Sequence, residues 1–132
     1  DKKANTNGTK YTYKIIASAS STGRSTLSKS VTTYRVARPA ISTVTNSGAK
    51  KMTVKWGKNA RASGYQIQYS TDKTFKTGNK SVTISGASTV AKAITGLTKG
   101  KTYYVRIRTF KTAGSTKYFS AWSPVKNVKI TK

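Results

Sequence analysis

Along most of the chain, apolar and polar residues alternate one by one. "KMTVKW" sets Met52, Val54 and Trp56 on one side and Lys51, Thr53 and Lys55 on the other, the period-two pattern of a half-buried strand. "GYQIQYS" repeats it with Tyr65, Ile67 and Tyr69 inward and Gln66, Gln68 and Ser70 outward. In "KTYYVRIRTF", Tyr103, Val105 and Ile107 share one face, and Tyr104, Arg106, Arg108 and Phe110 share the other. Turn clusters separate these runs: "TNSGAK", "GKNARASG", "KTGNK", "SGAS" and "KTAGSTK". No stretch sustains a helical period. The pattern predicts an all-β chain, an antiparallel sandwich or barrel of short strands.

One run breaks the alternation. In "TVAKAITGL", Ile94 belongs to the inward set, which by strict alternation would also place Lys92 and Val90 there. A lysine on a core face is costly unless it snorkels out. The expectation is a bulge, or else Ala91 and Ala93 facing inward.

Length and charge narrow the function. The 132 residues hold one ordinary domain and a remainder. Twenty-six Lys and Arg stand against two acids, Asp1 and Asp72, giving a net charge of +24. Such a surface attracts polyanions at low salt, whether nucleic acid, anionic lipid or an anionic wall polymer. The basic residues occur singly or in pairs such as Lys50-Lys51, as on the polar face of ordered elements. There is no Cys, His or Glu, which removes disulfides, thiolate nucleophiles and the usual metal ligands. Proton transfer near neutral pH lacks its ordinary carriers, and no G-x-S-x-G elbow or Gly-rich phosphate loop is present. These counts argue for a non-enzyme with no cofactor. No window of 18 apolar residues spans a membrane.

Residues from about 37 to 132 resemble a fibronectin type III domain. The resemblance starts at "RPAIS" and continues with "MTVKW", where Trp56 takes the core tryptophan position, and with "GYQIQYS", carrying Tyr65, as the third strand. Its most specific piece is "ITGLTKGKTYYVRIRTF", with Leu97, Gly100 and Tyr103 on the family pattern, although Lys99 stands where proline is common. "FSAWSPVKNVKI" resembles the last strand, with Trp122 and Ser123 on the recurring Trp-Ser pair. The resemblance implies an antiparallel Ig-like β-sandwich in which the Tyr103 hydroxyl pins a corner between strands. It also implies a cation–π ladder, with Arg106 and Arg108 interleaving with Trp122 and Tyr118.

Residues 1–36 repeat part of this pattern. "GTKYTYKII" from Gly8 sets beside "GKTYYVRIR" from Gly100 at an offset of 92, matching Tyr11 to Tyr103 and Ile15 to Ile107. Later, "LSKSVTTYRV" sets beside "WSPVKNVKI", putting Leu27 near Trp122 and Val36 near Ile130. The segment reads as a β-hairpin, the last strand pair of a truncated preceding repeat. A lone hairpin is marginal in water, so it is expected to pack on the neighbouring domain or on a second copy in a strand-swapped dimer.

The lysine-rich, cysteine-free tandem form is similar to modules of secreted and surface proteins of Gram-positive bacteria. That implies an extracellular spacer, adhesion or binding unit associated electrostatically with wall polymers, its first partners being neighbouring repeats. A carbohydrate-binding module using Tyr104, Phe110, Tyr118 or Phe119 as stacking platforms is one alternative. A basic nucleic-acid binder is the other, though the motifs of helix-turn-helix, RNA-recognition and zinc modules are missing. The tripeptides at Asn7 and Asn79 match the glycosylation pattern, and Arg-Gly-Asp is absent.

Overall fold

The computed structural model describes residues 10–13, 16–18, 25–27 and 31–132; Asp1, Asn7, Gly8 and Ile15 lie outside them. In chain order the strands are β1 (Lys10–Tyr13), β2 (Ile16–Ser18), β3 (Ser25–Leu27), β4 (Val31–Tyr34), β5 (Ile41–Gly48) and β6 (Lys51–Trp56). They continue as β7 (Gly64–Ser70), β8 (Lys80–Ser85), β9 (Ala91–Ile94), β10 (Thr102–Ala113), β11 (Thr116–Phe119) and β12 (Lys126–Lys129). Every pairing is antiparallel, and the described residues contain no helix.

From residue 37 onward two sheets face each other. One has the order β5-β6-β9; the other runs β11-β10-β7-β8, with β12 also on β10. β10 is the longest strand, and it is paired along both edges. Its Tyr104–Phe110 stretch lies against β7, while β12 and β11 share the opposite edge, meeting Thr102–Val105 and Phe110–Ala113 respectively.

The core forms where the inward sets meet. Met52, Val54, Trp56, Ile94 and Leu97 from the small sheet's side pack with Tyr65, Ile67, Tyr69, Ile84, Val105, Ile107 and Ile130. Each fully buried aliphatic side chain there contributes about 1.5–3 kcal/mol by leaving water. Trp56 lies 5.3 Å from the Tyr65 ring, and its buried indole N–H has no acceptor among the described residues. The Tyr65 hydroxyl, at the end of a fully buried side chain, accepts from Asn59 N at 2.7 Å and donates to Ala87 O at 2.9 Å.

Two loop features set the ends of β10. Gly100 has φ +85°, a left-handed conformation open to glycine at little cost, and its N–H donates to Ile130 O at 2.7 Å. The half-buried Tyr103 accepts from Thr98 N at 3.0 Å through its hydroxyl, tying the turn back to the strand. At the other end, Ala37 O accepts from Thr109 Oγ1 at 2.7 Å, which anchors the incoming segment.

The irregular run "TVAKAITGL" resolves differently from either expectation. β9 pairs with β6 in unbroken register, Ile94 against Met52 and Lys92 against Val54, while Ala91 and Ala93 are exposed. Lys92 keeps its place in the alternation and is exposed, since β9 is an edge strand, where a lysine is tolerated.

Before residue 37, β1 pairs with β4 and β2 with β3, as two separate two-stranded sheets. Lys10 pairs with Tyr34 and Tyr13 with Val31, while in the sandwich Thr102 pairs with Lys129 and Val105 with Lys126. Each is a four-residue antiparallel ladder. The Tyr34 ring lies 5.1 Å from that of Tyr118.

Gly64 sits in mid-sheet, paired with Phe110 on one side and Ser85 on the other. A Cβ there would collide with the Ile84 carbonyl and come within 2.7 Å of the Phe110 ring. Gly64→Ala is therefore expected to destabilise the sandwich by on the order of 1–3 kcal/mol, an overpacking cost. A lowered denaturant midpoint with an unchanged slope is the expected readout; no shift would mean that the Ile84 carbonyl and Phe110 can both move aside freely.

Candidate functional site

The outward face of β10 begins as alternating Tyr104, Arg106, Arg108 and Phe110, and the fold supplies what lies over the arginines. The Arg106 Cζ is 4.2 Å from the Phe75 ring centroid and 4.6 Å from that of Trp122. The Arg108 Cζ is 4.3 Å from Trp122 and 3.8 Å from Phe119. The result is an alternating stack, Phe75, Arg106, Trp122, Arg108, Phe119, in which each guanidinium lies between two rings. In-plane donors are also engaged. Gln68 Oε1 accepts from Arg106 Nε at 2.8 Å and Nη2 at 2.5 Å, and Gln66 Oε1 accepts from Arg108 Nε at 2.8 Å. These glutamines sit directly across the β7–β10 ladder from their arginines. Burial lowers both arginine pKa values, with Arg106 adding to the effect at Arg108, but guanidinium stays charged at neutral pH.

Trp122 is positioned by a break in the last strand. Between β11 and β12 the chain leaves regular pairing, yet Ser120 N donates to Thr109 O and Ser123 N to Ile107 O. In return Ser120 Oγ accepts from Thr109 N and Ser123 Oγ from Ile107 N, each at 3.0 Å. The two hydroxyls replace carbonyl acceptors that a regular strand would offer, so β10 loses no hydrogen bond where its neighbour bends away. Trp122, between them, projects over the arginines.

Phe75 reaches the stack from a loop held by Asp72. One carboxylate oxygen accepts from Thr74 N at 2.8 Å and Thr74 Oγ1 at 2.7 Å; the other accepts from Lys76 N at 2.9 Å and Thr77 N at 3.1 Å. Phe75 itself sits at φ +54°, a strained value for a bulky residue, with its carbonyl accepting from Asn79 Nδ2 at 2.6 Å. The side chain of Asn79, one of the two glycosylation tripeptides, is thus part of the loop.

The residues singled out by pattern separate into three groups. Trp56, Tyr65, Leu97, Val105 and Ile107 are buried core, and Gly100 and Tyr103 shape the corner. Arg106, Arg108 and Trp122 come together in the ladder, while Tyr104 stays half-buried between Ser70 and Asn127. Tyr118 and Phe110 correct the expectation. Tyr118 pairs with Lys111, which puts it on the opposite face from the arginines and against Tyr34, so Phe119 takes the ladder position instead. Phe110 is only 3% exposed, covering Gly64, with its ring 6.0 Å from Phe119 and the Lys117 ammonium 4.8 Å above it. It offers no open stacking platform. Pattern reading missed Phe75, Phe119, Gln66 and Gln68 as ladder members, although the glutamines' outward alternation was visible.

No group of three or more His, Cys, Asp or Glu that could hold a metal occurs among the described residues, and no helix there is long and apolar enough to cross a membrane. A concavity of about 440 Å³ lies between residues 37–40 and 57–61, with Arg38, Lys58 and Arg61 around it.

Losing one arginine should remove two ring contacts and its glutamine bonds. Arg106→Ala is expected to cost about 1–2 kcal/mol, and Trp122→Ala, which strips a ring from both arginines, about 2 kcal/mol or more. Arg106→Lys should recover little, because an ammonium neither stacks as a plane nor forks onto Gln68. Unchanged denaturation midpoints in all three would show that the stack does not hold the fold.

Asp72 yields a pH prediction. Side-chain and backbone hydrogen bonds from Thr74 hold its carboxyl well below the usual aspartate range against desolvation, with the Thr77 and Lys76 backbone bonds adding less. A depressed folded-state value stabilises above the unfolded value, about 3.9, and that contribution fades as pH falls below it. Asp72→Asn should be less stable than wild type at pH 7, the gap closing below about pH 4. A gap constant down to about pH 2, followed by thermal unfolding, would contradict this account.

The family model for the fibronectin type III domain matches residues 37–126. Among solved structures, the chain is similar to chicken CNTN1 FN1–FN3 domains at TM-score 0.62 and 20% identity, covering 94% of this chain and 42% of that one. It is also similar to the third fibronectin III domain of human KIAA0343 at TM-score 0.54 and 19% identity, covering 73% of this chain and 82% of that one. A structure described as a myokine aligns at TM-score 0.56 and 18% identity, over 72% of this chain and 97% of that one. No curated protein matches the sequence. At these identities the structural likeness speaks for the fold. Domains of this type are generally non-catalytic modules and typically extracellular. Over two thirds of its length and in its antiparallel two-sheet architecture, the chain belongs to the fibronectin type III family.

Proposed function

We propose that this chain is a spacer and binding segment of an extracellular or cell-surface protein, of the kind found in Gram-positive bacteria, held near anionic wall polymers by its charge. The carrying observation is how its charge is disposed. Of the 26 basic residues, Arg106 and Arg108 are enclosed between rings, and the one acid among the described residues, Asp72, is bound within its own loop. Most of the described lysines are exposed, including Lys55, Lys58, Lys73, Lys76, Lys80 and Lys92. A net charge of +24 spread this way favours any dense polyanion without selecting a sequence or sugar.

Residues 1–36 are, in this reading, the closing strand pair of a preceding repeat, making neighbouring modules of the same protein the first partners. The antiparallel pairing of β1 with β4, like that of β10 with β12, supports it, as does the alignment of 94% of this chain with 42% of the chicken structure of FN1–FN3 domains. The Tyr34–Tyr118 contact gives the two units a joint. The carbohydrate-stacking alternative loses Phe110 to burial and one face of Phe119 to Arg108.

Polyphosphate, heparin and duplex DNA at matched charge density provide the test. Affinity for all three should be similar and should fall by about 10-fold or more between about 50 and 200 mM salt. Strong preference for DNA would favour a nucleic-acid reader, and salt-insensitive binding to a neutral polysaccharide would favour the sugar module.

A further inference from the structure

A second concavity, about 230 Å³, lies where the end of β7, the start of β8 and the turn before β10 meet. Tyr69 and Tyr103 form its wall, their rings 6.2 Å apart and tilted by 54°, and Lys80, Lys101, Thr71 and Thr98 complete the rim. Because Tyr103 Oη accepts from Thr98 N, its own hydrogen is left to donate. Burial, and after it the neighbouring Tyr103, pushes the Tyr69 hydroxyl up, so this group also stays a donor at neutral pH. At Tyr103 desolvation pushes upward and is outweighed by the Thr98 bonds and by the positive charges of Lys80 and Lys101. No carboxylate lines the concavity, and the oxygens of neighbouring Asp72 are turned into its loop. Two lysines and two tyrosines thus line the concavity, with no carboxylate among the described residues that line it.

The ligand class follows from that balance. Lysine is a point charge suited to a phosphate-type oxyanion, whereas planar carboxylates are gripped best by the arginine fork. The volume lies below the roughly 300–1,000 Å³ of sites that enclose drug-sized ligands, so it suits one charged group with a short polyol and not a nucleotide or an oligosaccharide. We propose that this corner binds a single phosphodiester of a linear polymer with small repeating units, Lys80 and Lys101 meeting its nonbridging oxygens and the Tyr103 hydroxyl donating to it. The proposal rests on the polyanion reading above and gives it a defined site, which would fix register along a polymer that the rest of the surface only attracts.

The test titrates the isotope-labelled chain with glycerophosphoglycerol and with inorganic phosphate while following amide resonances, and measures polyphosphate binding by calorimetry. Glycerophosphoglycerol should shift Gly78, Thr98 and Lys101 saturably. Lys80→Ala/Lys101→Ala should weaken that binding about 10-fold or more, and Lys58→Ala/Arg61→Ala, at the far end of β10, less than about 2-fold. Lys80→Arg/Lys101→Arg should restore part of it, and thermal unfolding of each variant confirms an intact fold. Equal weakening by both alanine pairs, or shifts spread over the lysine surface, would overturn the site while polyphosphate binding kept the broader reading standing. Equal affinity for inorganic phosphate would overturn the assignment to a chain-linked group. Loss of polyphosphate binding in the unaltered chain would instead remove the polyanion reading itself.

Discussion

Twelve consecutive residues of β10 must keep their backbone hydrogen bonds while their two faces do opposite work. One face is core, Val105 and Ile107 fully buried; the other carries two permanent cations. A buried N–H or C=O without a partner costs free energy comparable to a lost hydrogen bond, so the strand cannot be left unpaired anywhere along its covered length. β7 serves one edge without interruption. On the other edge β11 and β12 part, and Ser120 and Ser123 supply the missing acceptors with their hydroxyls. The same irregular bend lets Trp122 lie across the sheet face instead of continuing a strand.

The ladder is how this sandwich tolerates charge on a densely packed sheet. Arg106 and Arg108 lie on the same face two residues apart, a repulsive arrangement if both were simply solvated. Trp122 separates them, Phe75 and Phe119 close the ends, and Gln66 and Gln68 take in-plane donors without adding charge. With a single acid among the described residues, the fold has few ion pairs to draw on. Aromatic faces and amide oxygens therefore solvate the two guanidinium groups where carboxylates pair with them in most proteins, leaving the charge in place. The Asp72 loop belongs to this system, since its carboxylate organises the turn that delivers Phe75.

Alternation alone made much of the fold legible. The inward sets Met52, Val54, Trp56 and Tyr65, Ile67, Tyr69 are buried as the period-two pattern requires, and the corner around Tyr103 follows its motif. The ladder was half visible. Arg106, Arg108 and Trp122 could be named, but Tyr118 and Phe119 are adjacent, and choosing between them needs the register of β11 on β10. A one-residue change of register exchanges the two faces, and the turn that sets it cannot be counted to that accuracy from sequence. Phe75 was beyond pattern reading, because it belongs to a loop with no period and approaches from outside the sheet.

Lys92 makes the same point from the core side. Its place in the alternation was clear, and its apparent conflict with burial vanished only because β9 lies at a sheet edge. The sequence by itself determined the class of fold, the inward faces, the absence of the commonest neutral-pH proton carriers and a net charge of +24, since composition and a two-residue period are local properties. Tertiary structure alone decided which rings cover the arginines, how Phe110 is withdrawn from the surface, and that Lys80, Lys101 and two tyrosines line one concavity. Those outcomes depend on strand order and register, which bring together residues dozens of positions apart, and no local pattern encodes that distance.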